Sequence, residues 1–190
     1  MRGLPVPDNV LLRRFGLVRA VGGAAYVVAV AVLFAIFGAR VWPLAIGVPV
    51  LAVVTTAYFN ESARYPRAAV VASLAADALV LGGAVAFVGG TGSGLVLLYA
   101  IVVVSAGILL GPAAAAGFTA LTVGLGLSQL LAEQLGHPPA LLHRPDLGER
   151  LPILAVSLAG LVSVGYLSAT YASRLHELVA EAGEQAEVVR

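Results

Sequence analysis

Cysteine is absent from the 190 residues, which excludes disulfides, thiolate metal sites and thiol nucleophiles. Lysine is absent as well: all 11 basic residues are arginine, a bias that reads as genome composition and carries no function. Charge of either sign is scarce, at 11% of residues against roughly 25% in an average soluble domain. A net charge of +1 leaves no basic field to hold nucleic acid. No cofactor-binding fingerprint occurs, so no cofactor is expected.

What fills the chain is apolar. Hydrophobic residues make up 60% and mean hydropathy is +0.99, the profile of an integral membrane protein. A hydrocarbon core about 30 Å thick needs roughly 20 apolar residues per helix, so the length accommodates six crossings with short loops. The runs predict spans over 17–37, 41–59, 68–88, 95–110, 112–131 and 151–171. The first is too long for the apolar core of a signal peptide and is expected to be retained. Gly111 followed by Pro112 predicts a tight hairpin between the fourth and fifth. Past Tyr171 the composition turns polar. The expected fold is therefore all-α and polytopic, a six-span domain over 1–171 followed by a cytoplasmic juxtamembrane helix over 172–190.

Arginine sets the expected orientation. Arg2, Arg13, Arg14, Arg19, Arg64, Arg67, Arg174 and Arg190 fall on one side and only Arg40, Arg144 and Arg150 on the other, which predicts both termini on the cytoplasmic side. Trp42 and Tyr58 fit an aromatic belt near the ends of the second span.

Few side chains suit chemistry. Asp77 is the clearest intramembrane carboxylate; at an insertion cost of about 2.5–3.5 kcal/mol it should face the bundle interior, neutral or paired, with Ser73 one turn away. Arg19 is expected to snorkel to the cytoplasmic interface rather than pair with it. Gln129 and Glu133 share a helix face at i, i+4 near the outer surface, and with Asp77 and Ser73 form the set of signal-sensing candidates. His137, His143, Asp146 and Glu149 in the outer loop have no ligand spacing worth trusting, so no metal is expected. His176 followed by Glu177 begins like a phospho-accepting box but continues without its proline, so no catalytic residue is assigned. Tyr171, Leu175, Leu178, Ala182, Gln185 and Val189 step by four and three, a short heptad-like seam.

The stretch from Ala72 to Glu133 resembles a known family. An Asp early in the third span, the run Val88 to Gly94 (VGGTGSG), Gly111 and then Leu130 to Leu135 (LLAEQL) are similar to the membrane domain of PilS-type sensor histidine kinases. Leu11 to Phe15 and Ala169 to Glu187 extend the likeness over most of the chain. The resemblance implies a sensory input domain that relays a membrane or extracytoplasmic signal through the sixth span. It also implies a homodimer, a transmembrane partner such as a pilin-like helix, and a response regulator reached only through a PAS domain and kinase core, which these residues do not include. The chain departs from the family at Ser73 to Asp77 (SLAAD) and at Gly92-Ser93, where a polar residue and a double serine are usual. The sequence is expected to be either a piece of a longer kinase or a stand-alone sensor remnant. The alternative reading is a six-span solute-binding subunit resembling that of an energy-coupling-factor transporter, with small residues Ala25 and Ala29 in the first span.

Overall fold

The computed structural model describes residues 9–62, 64–93, 95–136 and 146–188, and no strand occurs among them. Within these residues seven α-helices follow in order: α1 (Asn9–Phe37), α2 (Trp42–Ala45), α3 (Gly47–Glu61), α4 (Pro66–Val88), α5 (Tyr99–Leu110), α6 (Pro112–Gln134) and α7 (Leu147–Val188). Short 3-10 turns at Gly38–Val41, Gly90–Ser93 and Leu95–Leu98 join them.

Local chemistry explains the punctuation. Proline opens both α4 and α6, where its missing N–H costs nothing and its fixed φ suits a first helical turn. Gly111 adopts φ +94° between α5 and α6, a conformation closed to side-chain-bearing residues, and so makes the two-helix hairpin predicted from Gly111-Pro112.

Among the described residues four helical stretches are long and apolar enough to cross a membrane: Leu12–Ala45, Pro66–Val88, Pro112–Gln134 and Leu147–Leu175. One boundary differs instructively from the sequence expectation. α1 begins at Asn9 rather than Leu17, because Arg13 and Arg14 lower hydropathy without breaking the helix. Leu12 is buried, and the Tyr58 hydroxyl donates to its carbonyl at 2.8 Å while Phe15 meets the Tyr58 ring edge-on. Tyr58 is thus an interior residue and not part of an aromatic belt; Trp42, by contrast, is exposed.

Packing follows chain order. α3 lies on α4, α4 on α5, and α5, α6 and α7 pack mutually, whereas α1 leans on α3 and the Gly38–Val41 turn from the edge. Only 6% of the first apolar window is buried, against 33% for α4. One core cluster joins Leu12, Tyr58, Leu74, Val102 and Phe118 across five helices, and a second gathers Val85, Val96, Tyr99, Leu154 and Leu161 at the other end.

α7 approaches its neighbours through small residues, a common device where lipid removes the hydrophobic drive between helices. Gly107 faces Ser168, and Gly165 faces Thr119. A Cβ at Gly165 would lie 2.9 Å from Thr119 Cγ2. Gly165→Ala is therefore expected to wedge α6 from α7 and destabilise by about 1–3 kcal/mol. Gly117→Ala, whose Cβ would meet nothing within 4 Å, should be neutral or slightly stabilising. Thermal unfolding of the two variants in detergent compares them directly.

Candidate functional site

Two polar clusters are buried among the described residues of this apolar bundle. The first lies about a third of the way along α1 and half-way along α4. Arg19 stands 10 residues into α1 and Asp77 11 residues into α4, about 15 Å from each helix start, or half the thickness of a hydrocarbon core. Arg19 Nε donates to Asp77 Oδ2 at 3.0 Å and Nη2 to Oδ1 at 2.6 Å, the bidentate fork of a guanidinium on a carboxylate. Its Nη1 donates to Thr55 Oγ1 on α3 at 3.1 Å. Three helices are thereby tied by one arginine whose side chain is 4% exposed.

Arg19 does not snorkel, contrary to the sequence expectation. Because α1 starts eight residues before the predicted span, Arg19 is nearly three turns inside the helix, and there its guanidinium is turned into the bundle and paired. Ser73 takes no part: its hydroxyl donates to the Ala69 carbonyl of its own helix at 2.6 Å.

The second cluster closes the other end. Glu133, on the last turn of α6, accepts from the Thr91 backbone N–H at 2.7 Å, from the Thr91 hydroxyl at 2.8 Å and from Arg150 Nη1 on α7 at 3.2 Å. Its side chain is 1% exposed. Gly90 holds φ +69° directly under the carboxylate, where a Cβ would collide with Oε1, so both the backbone angle and the space demand glycine. One turn back on α6, Gln129 Nε2 donates to the Gly82 carbonyl at 2.8 Å and to the Tyr99 hydroxyl at 3.1 Å. Gln129 Oε1 and Arg150 Nε are buried with no protein partner.

The sequence candidates therefore divide between two places. Asp77 belongs to the α1–α3–α4 tie, Gln129 and Glu133 to the closure of the opposite end, and Ser73 to neither. Sequence reasoning missed Thr55, Thr91, Tyr99 and Arg150. Arg150 had a signal: Glu133 near the end of one helix and Arg150 near the start of the next must lie at the same end of an antiparallel pair. Asp146 immediately precedes α7 and Glu149 lies in its first turn, both exposed, while His137 and His143 lie outside the described residues. Of the seam, Tyr171, Leu175 and Leu178 are exposed apolar side chains on α7, Ala182 and Gln185 continue the helix, and Val189 lies outside the described residues. His176 also falls within α7.

The arrangement is one of fixed charge pairs. It holds two salt-bridged anchors, each joining three elements, and one of them grips the start of the longest helix. No protein-family model, no curated protein and no solved structure matches the chain.

Proposed function

We propose that the chain is a transmembrane sensory input domain of a two-component sensor histidine kinase, relaying a signal through its last helix to the cytoplasm. The observation that carries this reading is α7 itself. It runs unbroken for 42 residues, about 63 Å, more than twice the roughly 30 Å a hydrocarbon core requires. Its apolar part ends at Leu175, and its start is held by the Arg150 to Glu133 ion pair. A rod fixed to a loop at one end and protruding at the other transmits rotation or translation, and a two-state shift of such an element is what a ligand or partner can bias.

In this reading the membrane is crossed six times. The four long stretches, the first of which takes in α2, are joined by α3 (Gly47–Glu61) and by Leu95–Leu110, whose 3-10 and α turns together rise about 26 Å. With Arg19 removed from the count as an interior residue, seven arginines still face three, which keeps both termini in the cytoplasm of the bacterial inner membrane. Leu175 and Leu178, exposed where the helix leaves its apolar part, favour a homodimer through the seam Tyr171, Leu175, Leu178, Ala182 and Val189. The link to PilS-type kinases, to a pilin-like transmembrane partner and to a response regulator rests on the residue pattern from Ala72 to Glu133.

The test uses the absence of cysteine. Single cysteines at Leu175, Leu178 and Ala182 should crosslink between subunits, and those at Glu177 and Glu184 much less. One residue inserted after Arg174 turns everything downstream by about 100° and should invert or abolish the output of a kinase core fused after Arg190. Equal crosslinking at all positions, or none at any, would instead favour a monomeric solute-binding subunit.

A further inference from the structure

An apolar groove of about 460 Å³ opens on the face of the bundle between α4 and the α2–α3 segment. Leu44, Gly47 and Val50 form one wall, and Ala76, Gly83 and Phe87 the other. Tyr26 closes the back, its hydroxyl already donating to the Leu44 carbonyl at 2.8 Å, so the lining presents no unengaged polar side chain. The rim faces outward: Ile46 and Leu79 are exposed on either side.

Dimensions select the occupant. From Ala76 to Phe87 the groove follows α4 for 11 residues, about 16 Å, which is one leaflet's depth and too short for a crossing helix of roughly 20 residues. At one end α2 packs on α4. There Arg40 and Trp42 are both exposed within three residues of Pro43, a cation and an aromatic ring of the kind that sit at lipid headgroups. At the other end the groove stops beside Asp77. Asp77, Val80, Ala84 and Phe87 fall on one face of α4 at i, i+3, i+7 and i+10, and the Asp77 side chain remains 21% exposed despite its pairing with Arg19.

We propose that this groove is a binding site for a bilayer phospholipid, one acyl chain lying along α4 from Phe87 to Ala76 and the phosphate held at Arg40. The seated chain ends against the Arg19–Asp77 pair and keeps headgroup water from it. The site requires only that the bundle be embedded in a bilayer and is independent of the relay reading.

The experiment reconstitutes the full chain in phosphatidylcholine vesicles containing a small fraction of phosphatidylglycerol with a photoactivatable diazirine in mid-chain, and maps the adducts by mass spectrometry. Labelling at Val50, Val80 and Ala84 should exceed that at the lipid-facing Val28 and Val162 by about tenfold, the ratio produced by a site preference of about 1.4 kcal/mol. Gly83→Phe fills the groove, and because a Cβ there meets nothing within 4 Å the variant should fold. It should bring the groove positions down to the level of Val28, with Gly83→Leu intermediate and Arg40→Ala lowering the yield several-fold. Gly23→Phe, equally open on α1, should change nothing. Equal labelling of groove and lipid-facing positions overturns the proposal, as does a pattern that Gly83→Phe and Gly83→Leu both leave untouched. With a photoactivatable residue placed at Val80 or Ala84 instead, protein-to-protein adducts in place of lipid adducts also overturn it, in favour of a partner helix.

Discussion

Asp77→Asn should unfold far more readily than the parent chain, by about 3–5 kcal/mol, because it leaves the Arg19 guanidinium buried and without a counter-charge. The amide keeps the shape of the carboxylate and one acceptor, so loss of packing cannot account for a cost of that size. Arg19→Leu should cost less than Asp77→Asn, since an unpaired carboxylate can take up a proton while arginine cannot shed one. The double replacement Arg19→Leu with Asp77→Leu removes both charges and should recover most of the loss, as apolar substitutes for buried ion pairs do. Unfolding midpoints of the parent, Arg19→Leu, Asp77→Leu and the double variant in one detergent measure the coupling. If Asp77→Asn alone is neutral, the fork between α1 and α4 does not persist in the bilayer.

Glu133→Ala should be comparably damaging but at a different place. It strips the Thr91 N–H, the Thr91 hydroxyl and the Arg150 guanidinium of one shared acceptor, and the expected cost is again about 3–5 kcal/mol. Glu133→Gln retains an acceptor for the loop while removing the charge, and should lose about 1–3 kcal/mol. Hydrogen exchange separates this effect from a global one. Amides at 90–93, 148–151 and 153 should lose protection while those of α1 and the first half of α4 keep theirs. The two anchors share no hydrogen-bond partner, so Asp77→Asn and Glu133→Ala should add to within about 0.5 kcal/mol in the double variant. Protection that falls uniformly over the chain would show that Glu133 serves the whole fold rather than the start of α7.

How much of this was legible beforehand depends on the kind of signal. The helix ends at Gly111-Pro112 were readable because those residues restrict the backbone whatever surrounds them. The start of α1 was not, since hydropathy registers Arg13 and Arg14 as an ending although arginine is a good helix former. That one misplacement moved Arg19 from the interior to an interface and hid the partner of Asp77. The Asp8-Asn9 pair before Val10 is an N-terminal capping signal that would have restored it. Glu133 was recognised as unusual but read as reaching outward; its real partner, Thr91, sits in a glycine-rich turn whose fold depends on contacts 42 residues away. Ser73 was chosen for proximity to Asp77, yet a serine inside a helix has its own backbone carbonyl nearer than any neighbour.

Arg19 and Asp77 are 58 residues apart in the chain, and this separation governs how the protein is made. As α1 leaves the ribosome it carries a cation that costs about 2.5–3.5 kcal/mol in the bilayer centre, with its neutralising partner not yet synthesised. At roughly 5–20 residues per second, Asp77 follows about 3–12 s later. Until α4 enters, Arg19 has no counter-charge, so α1 is expected to settle in its final place only once Asp77 arrives. α1 is translated before α4 yet is expected to settle after it, in keeping with its loose position at the edge of the finished bundle.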